Sequence, residues 1–292
     1  MSAVLPLIGF LSGLMLANTT ISSRLKSIFS SLLSRLFIPI VIIDNMVFYQ
    51  AGSLSLILFS FFASILLFII YFLLSKDRLK SLCFSYTNMA WLGFPIAIAL
   101  FGENISSAMI AIYIGGSLFG NVWAVTSVSS EALKLKDIFK KVIQSPPVIA
   151  LIIAAICRIF HLQNIQTHTS VDLIYQISKW GMVFTGMCIL GMWLRHTKVQ
   201  WGDIKYSTQV ALIKMLCGIF ICAFAYYLLP IDHIHQYIGL MFLLFCLPPA
   251  ANIVALETHY QGTGVSAKYI AAGTIVSCVV CFIYGVIIHF VA

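Results

Sequence analysis

Apolar residues occupy this chain in long blocks, and polar residues collect in short stretches between them. Ten blocks are distinguishable, at about Val4–Ala17, Ser31–Phe48, Leu54–Leu74, Cys83–Phe101, Ile105–Val128, Pro146–Phe160, Val171–Leu194, Ser207–Leu229, Tyr237–Leu256 and Tyr269–Val291. A helix that crosses a bilayer needs roughly 20 predominantly apolar residues. The pattern therefore predicts an all-α polytopic membrane protein with ten transmembrane helices. The third block has neither Gly nor Pro and predicts one continuous helix.

The fourth and ninth blocks are interrupted. NMAWLGFP, Asn88 to Pro95, places Asn88, Gly93 and Pro95 inside the fourth. Proline removes a backbone donor and clashes with the carbonyl one turn back, and it pushes the preceding residue away from helical angles. LPPAAN, Leu247 to Asn252, does the same in the ninth through Pro248 and Pro249. Each block reads as two half-helices with an unwound joint. Non-helical backbone at membrane depth is tolerated only against protein or a watery cavity. Two interrupted spans in corresponding positions point to a transporter binding site. The plainer reading of either alone is a proline kink.

Charge supplies orientation. Arg24, Lys26, Arg35, Lys76, Arg78, Lys80, Lys134, Lys136, Lys140, Lys141, Arg195, Lys198, Lys205 and Lys268 fall to one side, whereas the other side has only Arg158. By the positive-inside rule both termini lie outside and the segment Ser129–Ser145 lies inside. Residues 1–128 and 146–292 then form two five-helix repeats of opposite orientation, joined by a cytoplasmic linker, 129–145. Broken crossover helices 4 and 9 occupy equivalent places in this inverted-repeat plan. No Lys or Arg precedes the first block, so it lacks the basic n-region of a cleaved signal peptide and reads as a retained span.

The chain of 292 residues is 61% hydrophobic and 9% charged, which leaves no room for a separate soluble domain. Its net charge of +8 sits in short loops, as an orientation signal and not as a nucleic-acid surface. The eight cysteines show neither a disulfide framework nor metal-ligand spacing, and a buried free Cys acts as a small hydrophobe. Cys278 and Cys281 share a helix face without companions. His161, His168, His233 and His235 divide between two loops, too few in one place for a metal. There is no phosphate-binding loop and no nucleophile elbow, so the reading is neither an enzyme nor an ATP-driven pump, with no cofactor.

Asn88 and Asn252 stand at the two joints. Their amides can donate to a carboxylate, aided by the half-helix N-termini. Alternatively, each satisfies carbonyls freed at its own joint. Thr87 and Ala251 flank them, and Gly93, Pro95, Pro248 and Pro249 have a geometric role. Lys214, roughly 12 Å into the eighth span, either balances an anionic substrate or snorkels to the inner surface. Glu257 is either its partner or an exposed helix-end carboxylate. Asp44 and Lys179, at matched depth in the second and seventh spans, are expected to pair on the outer side. Otherwise Lys179 snorkels and Asp44 faces the cavity alone.

These motifs resemble the auxin efflux carrier family. NMAWLGFP followed by Ala99–Gly102 is similar to its N-x-G-F-x-G-x-P…l-f-G stretch. LPPAANIVAL followed by Tyr260 is similar to its second signature, and Pro146-Pro147-Val148-Ile149-Ala150 to the opening of its second half. The resemblance covers essentially the whole chain. It implies a scaffold from the first, second, sixth and seventh helices, and an elevator-type transport domain from the other six. Its bacterial members look like permeases for small organic acids. Two features depart from the pattern: the central linker is short, and Glu257 replaces a small residue before the tyrosine.

The leading expectation is a secondary carrier in a bacterial inner membrane. It moves a small organic anion, a mono- or dicarboxylate, by alternating access, with membrane lipid as its surroundings and a homodimer as an allowed assembly. The rival expectations are a non-transporting receptor or sensor, or a carrier of bile-acid-like or oxyanion substrates on the related fold.

Overall fold

A computed structural model of the chain describes residues 4–47, 53–128, 143–144, 146–160, 169–195, 198–231, 233–251, 253 and 265–291. All regular elements among them are helical: α1 Val4–Leu16, α2 Ser22–Leu32, α3 Ile38–Val47, α4 Ser53–Ser75, α5 Arg78–Ser85, α6 Phe94–Phe101, α7 Ser106–Val128, α8 Pro146–Ile159, α9 Thr169–Leu194, α10 Trp201–Leu228, α11 Ile234–Cys246 and α12 Val265–Val291. Among the described residues five helical stretches are long and apolar enough to cross a membrane: Ser22–Asp44, Leu54–Ser75, Ser170–Met192, Trp201–Leu228 and Val265–Phe290. Four more apolar helices are shorter.

Helix α4 shows why these segments suit a bilayer. Leu67 and Leu56 are fully buried on one face, while Leu58, Phe62, Leu66 and Leu73 are exposed on the other. A helix in water puts polar residues on its outer face; this one is apolar all round, as in a membrane protein.

Close contacts divide the chain into two units, neither of which is a contiguous half. One comprises Met1–Ser53, Ala90–Ala111 and Phe139–His196; the other comprises Leu54–Met89, Ile112–Ile138 and Thr197–Ala292. In the first unit α1 lies along α9, and α3 along α8. Small residues set the α1–α9 crossing. A Cβ on Gly13 would overlap the Cys188 carbonyl, and one on Gly191 the Phe10 carbonyl. Glycine lets the two backbones touch, as membrane helix pairs commonly do. In the second unit α10 packs on α11 and α12, and α5 on α12.

Three helix starts differ from the sequence expectation. The second block becomes helical at Ser22, so Arg24 and Lys26 ride on a helix and not in a loop. Arg35 sits in a π-turn, Leu33–Phe37, which joins α2 to α3. Pro39 clashes with the carbonyl at position 35 in α geometry, and a wider turn just before it relieves that clash. Helix α5 begins at Arg78 because the Asp77 carboxylate accepts from the Lys80 backbone N–H at 3.0 Å, an N-cap. Helix α10 begins at Trp201, where the Asp203 carboxylate accepts from the Gln200 N–H at 3.0 Å.

Candidate functional site

The interruptions in the fourth and ninth blocks meet within the second unit. Past α5 the chain extends at Tyr86 (φ −92°, ψ 106°), and past α11 at Leu247 (φ −78°, ψ 149°). The extended pieces cross as a single antiparallel β-bridge, Thr87 opposite Pro249. Asn88 N–H donates to the Pro248 carbonyl, and Ala250 N–H to the Tyr86 carbonyl, both at 2.8 Å. Pro248 and Pro249 have no N–H, so the second segment can donate only from Ala250. Each break thus supplies the partners that the other lacks, and buried backbone groups are paired without a helix.

This geometry corrects the roles expected for Gly93 and Pro95. The joint lies at 86–88, upstream of both. Gly93 is helical (φ −62°, ψ −46°), and Pro95 sits in the first turn of α6. A π-turn over Met89–Gly93 precedes the proline, as it does at Pro39. The widened turn accommodates the ring, so Pro95 does not break the chain where it stands. Pro248 and Pro249, by contrast, lie in the second joint itself.

Glycines on neighbouring helices let the joint fit. A Cβ at Gly120 of α7 would overlap the Tyr86 ring, and one at Gly273 of α12 would lie 2.9 Å from Pro249 Cδ. Thr87 and Asn88 are buried, at 3% and 4% exposure. The Thr87 hydroxyl has no hydrogen-bond partner among the described residues.

A small cavity of about 40 Å³ adjoins the crossing, bounded by Leu247, Pro248, Pro249, Lys214, Tyr206, Tyr269 and Lys80, among others. Lys214 is 4% exposed and donates its ammonium to the Leu247 carbonyl. The lysine therefore does not snorkel: it caps a carbonyl that the following prolines leave without a helical partner. An ammonium has three donors, and this bond uses one. Lys80 stands half-exposed and pairs with Asp77 at 3.6 Å. No carboxylate is among the cavity's described lining residues. The described lining is thus electropositive, and a low-dielectric wall strengthens that field. At roughly 30 Å³ per water molecule, it is a small cavity.

The matched-depth pairing of Asp44 with Lys179 is not what the first unit shows. Lys179, 3% exposed, bonds Glu103 Oε2 at 2.8 Å. It also sits 5.4 Å from the centre of the Tyr175 ring. Gly102 ends α6 in the left-handed region (φ 82°), and a 3₁₀ turn over Glu103–Ile105 follows. The Glu103 side chain is 56% exposed, so it keeps water on one side and costs less to desolvate than a carboxylate inside a span. Asp44 is half-buried in α3.

Asn252 and Glu257 lie outside the described residues, so the expected Glu257–Lys214 contact does too. Ala251 is half-buried in a turn after the bridge. Among the described residues no cluster of His, Cys, Asp or Glu is able to hold a metal. The sequence reading overlooked Tyr206, Tyr269 and Lys80. A usable signal was present: Ser207, Val210, Ala211 and Lys214 fall at i, i+3, i+4 and i+7, one helical face, and all four line the cavity. Tyr206 meets Tyr71 hydroxyl to hydroxyl at 2.8 Å. No protein-family model and no curated protein matches the chain.

Proposed function

We propose that this chain is a secondary carrier of a small organic anion, a mono- or dicarboxylate, working by elevator-type alternating access. The observation that carries this reading is the crossing of two broken helices beside a cavity whose described lining holds a buried lysine and no acid. A carboxylate entering there meets the remaining donors of Lys214, while Thr87 and Asn88 stand at the adjoining crossing, outside the cavity's described lining. The small volume of the cavity supports a cycle in which the site widens to load. In this reading the chain crosses a bacterial cytoplasmic membrane ten times, in inverted repeats 1–128 and 146–292, with linker 129–145 inside and both termini outside. The antiparallel crossing supports that plan, because inverted repeats bring equivalent elements in from opposite faces. The fold is then the one implied by the resemblance to auxin efflux carriers.

Sealed vesicles loaded with a panel of carboxylates, with and without a pH gradient, test the reading. Saturable flux of at least one mono- or dicarboxylate is expected; absence of flux for every member overturns it. Asn88→Ala and Asn252→Ala are each expected to weaken substrate affinity by about tenfold, the loss of one hydrogen bond to a charged group. Membrane insertion stays intact. Unchanged affinity in both variants moves the site elsewhere.

Topology has its own measurement. Single cysteines near residue 138 and residue 232, in a cysteine-free background, are expected to react with an impermeant thiol reagent from opposite sides. Labelling from one side removes the inverted-repeat plan.

A further inference from the structure

The first unit carries a second cavity, of about 270 Å³, lined by Val4, Leu5, Ile8, Ile98, Trp180 and Val183 around the Lys179–Glu103 pair. Its polarity is lopsided. Lys179 is held inside, with its side chain 4% exposed, whereas Glu103 is 56% exposed and comes from a turn. The cation therefore belongs to the cavity, and its present anion can swing out to water. Elsewhere the walls are apolar. They run on into side chains bare on the outer surface of the same helices: Val4 and Ile8 of α1 are 57% and 50% exposed, and Trp180 of α9 is 51% exposed.

We propose that this cavity binds a long-chain fatty acid. Its carboxylate takes the place of the Glu103 carboxylate on Lys179, and its chain lies along the apolar faces of α1 and α9. Charge complementarity selects the head. Lys179 already donates to a carboxylate at 2.8 Å, so a second carboxylate needs no new geometry. The apolar walls select the tail, since each buried methylene contributes about 0.8 kcal/mol. The cavity, smaller than the roughly 300–1,000 Å³ of ordinary ligand pockets, takes the carboxylate and the first part of one chain, and the rest of the chain lies along the exposed apolar faces of α1 and α9. Because Glu103 is the resident competitor, its removal should favour the ligand. The inference rests on the first unit alone and does not depend on the carrier reading.

The test uses the full chain in phosphatidylcholine nanodiscs. A dibrominated stearate is titrated in, and quenching of tryptophan fluorescence is read. Quenching is expected to saturate, and Trp180→Phe is expected to remove most of it. The methyl ester of the same acid should bind at least about tenfold more weakly, as should the acid to Lys179→Met, while Lys179→Arg stays within about threefold. Glu103→Gln should bind the acid about three- to tenfold more tightly, and this gain distinguishes a ligand site from a structural ion pair. Equal quenching by acid and ester overturns the proposal. So does an unchanged or weaker Glu103→Gln, or tighter binding of a brominated phosphatidylglycerol than of the acid. If Lys179→Met does not fold, the ester and Glu103→Gln comparisons decide alone.

Discussion

Lys214→Met should lower carboxylate affinity by about 10- to 100-fold while the amount of folded protein changes little. Two opposing terms set the stability. A lysine at membrane depth costs on the order of 2.5–3.5 kcal/mol on insertion scales, and methionine recovers that cost. Against it stands the Leu247 carbonyl, which loses the ammonium that it accepts from. An unsatisfied buried acceptor costs about 1–3 kcal/mol. These nearly cancel. For an anion in the cavity nothing cancels: the nearest buried cation is gone, and a hydrogen bond to a charged group is worth about 1.5–3 kcal/mol. Lys214→Arg keeps the charge and should retain part of the affinity. Substrate binding and thermal unfolding, measured on the same purified variants, separate the two roles. Lower stability with unchanged affinity would make Lys214 only a cap for the broken helix.

Ala250→Pro should destabilise the protein by about 1–3 kcal/mol and abolish transport. The substitution removes the N–H that donates to the Tyr86 carbonyl at 2.8 Å, one of the two bonds that tie the joints together. Proline's ring demands extended geometry of the residue before it, and that residue is Pro249, itself within the extended segment. The change therefore tests the lost bond more than the backbone angle. With no donor from Ala250, the half-buried Tyr86 carbonyl loses this bond. A lower unfolding midpoint together with loss of flux is the expected pair of results. An unchanged midpoint would mean that the bridge contributes nothing to holding the breaks together.

The apolar blocks alone determined where helix forms. Each of the ten contains helix among the described residues, because a run of apolar residues in hydrocarbon can satisfy its backbone only within itself. Asn88, Pro248 and Pro249 were also legible as parts of interruptions, since proline's missing donor is a local property. Where the first interruption falls was not. Local rules spread it over Asn88 to Pro95, with Gly93 and Pro95 as the breakers. The π-turn over Met89–Gly93 absorbs the proline, and the chain opens instead at 86–88. An extended segment is stable there because the other break lies opposite, with its Pro248 carbonyl and Ala250 N–H. That partner is some 160 positions away in the chain, and no local pattern announces it. The same holds for charge. The sequence left Lys179 either paired with an anion or snorkelling to the surface, since a bare ammonium inside a span is costly. Matched depth suggested Asp44, but the tertiary structure chose Glu103, which Gly102 and a 3₁₀ turn bring to α9. Depth along a helix follows from counting residues. Which helices are neighbours, and which way a turn aims its side chain, depends on how the elements pack.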